Sequence, residues 1–189
     1  MRADSALPSR KTQAVTFDLW ETLLFDEREW DQRRKEIRSK RLLEALSRKG
    51  LSVPLQKIRD AYDQIVPWLT SFWNRNEEVP TIEQVKKIIE QIGNGSISAP
   101  VWVQNELDEA YSGPIDGDPF RINHDCIQTL HELRTRGYKL GLISNTGRTS
   151  AITQRRRMKD AGILDFFETT AFSNEEAGAN LTDEYFQLQ

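Results

Sequence analysis

A chain of 189 residues, 38% of them hydrophobic, is long enough to bury one core with a smaller layer appended to it. A net charge of -3 supplies no attraction for nucleic acid or for an anionic membrane, and the single cysteine, Cys126, excludes an internal disulfide. No apolar run approaches the length of a membrane span, so the expected setting is the cytoplasm.

Residues 1–13 contain an acid and lack the apolar centre of a signal peptide, and they read as a flexible leader. In residues 14–24, Val15, Phe17 and Leu19 read as a buried parallel strand. Asp18 and Thr22 then fall at its carboxyl end and in the loop after it, where open α/β sheets place their ligands. Two readings of Asp18 stand side by side: the cap of a turn, or a carboxylate with chemical work to do.

Asp26 is placed to cap a charged helix over 27–49, which Gly50 ends. Its Arg33, Arg34, Lys35, Arg38, Lys40 and Arg41 read as a solvated face, from which one arginine can still reach a site. A second helix is predicted over 54–73 from Leu55, Ile58, Tyr62, Ile65, Leu69 and Phe72, with Pro67 kinking or splitting it. Its Trp68, Phe72 and Trp73 read as packing rather than as the floor of a pocket. Thr81 and Gln84 form a capping box for a third helix that stops at Gly93-Asn94-Gly95, and a fourth runs over 100–111 through Trp102, Val103, Leu107 and Ala110. Four helices with short connections, between a first strand and its crossover helix, make a bundle over the carboxyl edge of the sheet.

Asp125, Cys126, Ile127, Leu130 and Leu133 then describe an amphipathic helix that ends at Gly137, with Cys126 as a buried thiol. A second apolar strand, ending at Ser144 and Asn145, is followed by a helix over 149–161 whose Arg155-Arg156-Arg157 run reads as surface. A third strand covers 169–172 and ends at Ser173. Strands and helices alternating at these lengths predict parallel βαβ units with right-handed crossovers.

Residues 14–24 and 137–147 together resemble the haloacid dehalogenase-like hydrolase superfamily. In its first motif an apolar strand leads into Asp, any residue, usually a second Asp, a small residue, Thr and an apolar residue. Asp18, Thr22 and Leu23 match, with Trp20 and Glu21 in place of the second Asp and the small residue. In its second motif an apolar strand ends in Ser or Thr, which Leu142-Ile143-Ser144-Asn145-Thr146 fits. The resemblance implies an α/β fold: a three-layer Rossmann-like parallel sheet, incomplete at its C-terminal end, from residues 14–25 and 115–189, with a four-helix cap inserted at 26–114. It also implies a hydrolase of small phosphorylated or halogenated molecules, with Asp18, Thr22 and Ser144 as catalytic residues and Asp18 as the nucleophile. Asp18 and the backbone carbonyl of Trp20 would hold Mg²⁺, and Ser144 with the amide of Asn145 would hold the oxygens of the transferring group.

An indole N–H is too weak an acid to protonate a leaving oxygen, so Trp20 disfavours alkoxide leaving groups and suits halide, acyl phosphate or aryl phosphate. The family's lysine after the third strand falls here on Asn180 or Leu181, although Ser173, Glu175 and Gly178 fit that segment. No fourth acidic motif precedes Gln189, and Asp183 and Glu184 read as solvated tail. Three readings therefore stay open: a Mg²⁺-dependent phosphohydrolase, a metal-independent dehalogenase-like hydrolase, and a catalytically silent protein. Without a fourth strand the strand carrying Asp18 becomes an edge, which invites a homodimer.

Overall fold

The computed structural model describes residues 13–93 and 101–175, the side chains of 101–103 excepted. The expected leader over 1–13, Gln13 excepted, and Gly178, Asn180, Leu181, Asp183 and Glu184, lie outside the described residues. In chain order the elements are β1 (Ala14–Phe17), β2 (Leu24–Asp26), α1 (Asp31–Arg48), α2 (Leu55–Trp73), α3 (Thr81–Gly93), α4 (Val101–Ser112), β3 (Phe120–Ile122), α5 (Cys126–Thr135), β4 (Lys139–Ser144), α6 (Ala151–Asp160) and β5 (Thr169–Phe172). Short 3-10 turns at Arg28–Trp30 and Leu164–Phe166 precede α1 and β5.

β1, β4 and β5 form one parallel sheet in that order, the α/β architecture expected from the alternating pattern. β4 is the central strand, with Leu140 and Leu142 buried, and Gly141 keeps it narrow: a Cβ there would sit 3.3 Å from the methyl of Thr16 on β1. Among the described residues β1 pairs with β4 alone, so it forms the edge of the sheet. Leu19, Leu130, Leu142, Met158, Ile163 and Phe172 pack into the core around this sheet, while a second core joins α1 to α4 through Leu42, Ile58, Leu69, Ile88, Leu107 and Tyr111. The amphipathic stripes of four helices close on one another because each is too short and too polar outside to stand alone.

Several local expectations are corrected. β1 stops at Phe17, not Leu19, because the N–H groups of Leu23 and Leu24 both turn back to the Leu19 carbonyl, each at 2.9 Å, and close a tight loop. β2 and β3 pair antiparallel, Leu24 opposite Ile122, at the two ends of the helical insert; at three residues each they are too short to carry a readable period. Asp26 lies in β2 and caps nothing, and α1 starts at Asp31 after a 3-10 turn. Pro67 does not split α2, which runs unbroken from Leu55 to Trp73. Trp68, Phe72 and Trp73 pack against the helical core as expected.

The arginine runs also depart from expectation. Arg34, Arg38 and Arg157 are buried, not solvated. Asp118, in the loop before β3, explains two of them: its carboxylate accepts from Arg34 Nε of α1 at 2.6 Å and from Arg157 Nη2 of α6. Arg34 also pairs with Asp26 at 2.7 Å and Asp31 at 2.9 Å. A single buried carboxylate thus ties the helical insert to the sheet side of the molecule.

Candidate active site

Because β1 and β4 are adjacent and parallel, their carboxyl ends open at the same edge of the sheet. Asp18 directly follows β1, and Ser144 is the last residue of β4. The Ser144 hydroxyl, in a residue only 2% exposed, lies close enough to the Asp18 carboxylate to favour its charged form, as does the backbone N–H of Leu19. The same hydroxyl donates to the Asn145 carbonyl at 3.4 Å. Asp18 is exposed at its tip, yet desolvation by the surrounding protein pushes its pKa above the ordinary aspartate value, against the pull of Ser144 and Leu19. The result is a carboxylate more basic than a free aspartate.

The other sequence-predicted residues fall around this pair in different ways. Asn145 is exposed beside Ser144. Thr22 lies in the loop after Asp18, exposed, with its carbonyl accepting from Asn123 Nδ2 at 3.0 Å and its hydroxyl making no hydrogen bond among the described residues. Trp20 is half-buried, and the Arg157 guanidinium stacks over its ring at 5.1 Å. Between them Glu21 takes a positive φ of 55°, a left-handed conformation that is costly for a residue with a Cβ and that the tight loop imposes.

The loop after β4 is held by residues from the helical insert, which the sequence did not reveal. Ser173 at the end of β5 accepts from the Thr146 N–H at 2.9 Å and gives its own proton to Glu78, from the connection between α2 and α3. Gln84, read as half of a capping box, instead donates through Nε2 to the carbonyls of Val79 and Gly147, each at 2.8 Å, and accepts from the Tyr111 hydroxyl at 2.7 Å. Gly147 presents that carbonyl from a φ of +60°, a conformation that favours glycine. Replacing Gln84 by Met is expected to lower stability by about 1–3 kcal/mol, because it strands the fully buried Tyr111 hydroxyl. Urea unfolding checks this: the midpoint should fall at constant slope, and an unmoved midpoint would show the linkage to be slack.

Asp18 and the Trp20 carbonyl are the donors that the resemblance assigns to Mg²⁺. Mg²⁺ takes six oxygens in octahedral array, one or two of them protein carboxylates. Among the described residues no group of three or more His, Cys, Asp or Glu comes together, so Asp18 belongs to no such cluster. The described donor set does not by itself make a Mg²⁺ site.

An acid just past the tip of one parallel strand, close to a hydroxyl at the tip of the next, above a Rossmann-like sheet, stands where open α/β sheets place their ligands. The family model of haloacid dehalogenase-like hydrolases matches residues 12–188, and the chain belongs to that family. No curated protein matches it significantly. Among solved structures it is similar to a predicted phosphoglycolate phosphatase from Haemophilus somnus, at 12% identity over 85% of this chain and 62% of that one, with a TM-score of 0.44. It is similar also to L-2-haloacid dehalogenase from Xanthobacter autotrophicus, at 15% identity over 95% and 66%, with a TM-score of 0.42. A third is the HAD phosphatase from Thermococcus onnurineus, at 19% identity over 87% and 63%, with a TM-score of 0.42. The chain therefore spans less than two thirds of the length of each.

Proposed function

We propose that this chain is an aspartate-nucleophile hydrolase of small molecules whose leaving group departs without a proton: halide, or an aryl or acyl phosphate. The observation that carries this reading is the placement of Asp18 and Ser144 at two adjoining strand ends, close enough to interact, with an indole two residues past the acid. For a haloacid, an Asp18 oxygen attacks the carbon, the carbon–halogen bond breaks, and halide leaves with the electron pair. Water then adds to the ester carbonyl, releasing the hydroxy acid and the free carboxylate, and its surplus proton passes to solvent. For an activated phosphate the same oxygen attacks phosphorus and the phenolate or carboxylate leaves, after which water opens the acyl phosphate. Ser144 orients the attacking carboxylate, and the amide of Asn145 is the donor placed to hold developing negative charge. Trp20, stacked on Arg157, contributes no proton to either route.

The test compares the full chain with Asp18→Asn on 2-chloropropionate and on p-nitrophenyl phosphate, each with Mg²⁺ and with chelator. Halide release that persists in chelator selects the dehalogenase branch. Phenolate release that needs added Mg²⁺ selects metal-dependent phosphoryl transfer, with Asp18 and the Trp20 carbonyl as ligands and the remainder from elsewhere. Equal rates for both proteins on both substrates would overturn the proposal and leave a catalytically silent member of the family.

A further inference from the structure

A cavity of about 330 Å³ lies between α1, α2 and the loop that leads into α6, and neither Asp18, Ser144 nor Asn145 lines it. Its volume is in the range of small-molecule sites. Five basic side chains and three carboxylates, Asp26, Asp31 and Asp63, line it, and ion pairs account for three of the basic groups: Arg34 and Arg157 meet Asp118, and Lys35 meets Asp63 at 2.5 Å. Arg38 and Arg148 form no ion pair among the described residues.

Arg38 is the more telling of the two. It is 6% exposed, and its partners are neutral: Nη1 donates to the Tyr62 hydroxyl at 3.2 Å, Nη2 to the Thr149 hydroxyl at 3.3 Å, and the guanidinium lies 5.7 Å from the centroid of the Tyr111 ring. Its Nε is buried without any partner. A guanidinium removed from water without a carboxylate is costly, and it persists where something on the molecule or bound to it returns the charge. Arg148 lies over the Tyr62 ring, 5.1 Å from its centroid. The phenol records the field of both: burial alone would raise its pKa, but the two guanidiniums outweigh that and hold it below the ordinary tyrosine value.

We propose that this cavity is a second site, for a small oxyanion: the carboxylate or phosphate group of a small molecule, received by Arg38 and Arg148 and flanked by the hydroxyls of Tyr62 and Thr149. Arginine suits the task because its planar fork matches both head groups with two parallel bonds. The occupant would also bear on catalysis indirectly. Thr149 donates its N–H to the Thr146 carbonyl at 3.2 Å, so the loop that leaves β4 at Asn145 ends in the wall of this cavity.

Calorimetric titration of the full chain, in a low-salt buffer free of both anions, tests the assignment with inorganic phosphate in one arm and succinate in the other. Saturable binding is expected in at least one arm, and the arm that binds names the head group. Arg38→Gln and Arg148→Gln should each weaken it at least tenfold, with unchanged circular dichroism, while Ser144→Ala leaves it within twofold. If Arg38→Gln fails to fold, the half-exposed Arg148→Gln carries the same comparison. No saturable binding of either probe would overturn the proposal. So would equal weakening by Ser144→Ala, which places the anion beside Asp18 instead, or indifference to the arginine substitutions.

Discussion

An Asp18→Asn protein is expected to hydrolyse 2-chloropropionate and p-nitrophenyl phosphate at no more than about one thousandth of the wild-type rate, the scale seen when a nucleophile is removed. Asparagine has the shape of aspartate and keeps an acceptor oxygen towards Ser144 and Leu19, so the local geometry survives and the loss belongs to the chemistry. Stability should move the other way. Burial raises the Asp18 pKa, which means that folding disfavours its charged form, and a neutral amide removes that penalty at neutral pH. Thermal unfolding beside the two assays separates the outcomes: activity lost with the melting temperature kept or raised is expected. Both lost together would make Asp18 a structural residue, the turn cap that its sequence context also allows.

Asp118→Asn is expected to give the largest loss of stability, about 3–5 kcal/mol, the cost of leaving buried guanidiniums without their counter-charge. The side chains of Asp118, Arg34 and Arg157 are 5%, 7% and 10% exposed, so water cannot substitute for the missing carboxylate. Arg34 keeps Asp26 and Asp31, which moderates its share, whereas Arg157 keeps the face of Trp20 and the more distant charge of Asp26. At about 2–4 °C per kcal/mol for a chain of this size, the melting temperature should fall by about 6–20 °C. The control is Asp116→Asn, which breaks the pair to Arg156 at 2.7 Å on the surface, with side chains 85% and 50% exposed. It should cost less than about 1 kcal/mol. Equal losses from the two substitutions would refute the argument from burial. Because Asp118 links α1 to α6, its loss should also loosen the helical insert against the sheet, which limited proteolysis would register.

Much of the scaffold was legible because its signals are local. Leu55, Ile58, Tyr62, Ile65 and Leu69 recur at the spacing of one helix face, and α2 forms there even through Pro67, since its stripe is anchored on both sides of the proline. The strand over 169–172 was read at its observed bounds. Asp18 and Ser144 were legible as the polar ends of two apolar runs, and parallel pairing brings such ends together. Gln84 was misread because its spacing from Thr81 satisfies a capping pattern that the side chain does not use. The burial of Arg34 and Arg38 had a faint signal, for they continue at four-residue steps the stripe that Leu42 and Leu46 carry into the core.

By itself the sequence determined the parallel α/β frame, the four inserted helices and the strand tips that carry an acid and a hydroxyl. Each of these follows from hydrophobic periodicity within about twenty residues, where side-chain spacing and backbone geometry are coupled. Only the tertiary structure decided which arginines are buried and which cavity they face. The buried carboxylate shared by Arg34 and Arg157 lies 84 residues from the first and 39 from the second, although Arg34 also has Asp26 and Asp31 nearby in the chain. A charge is tolerable inside a protein only through partners that the fold brings to it, and no local pattern names those partners.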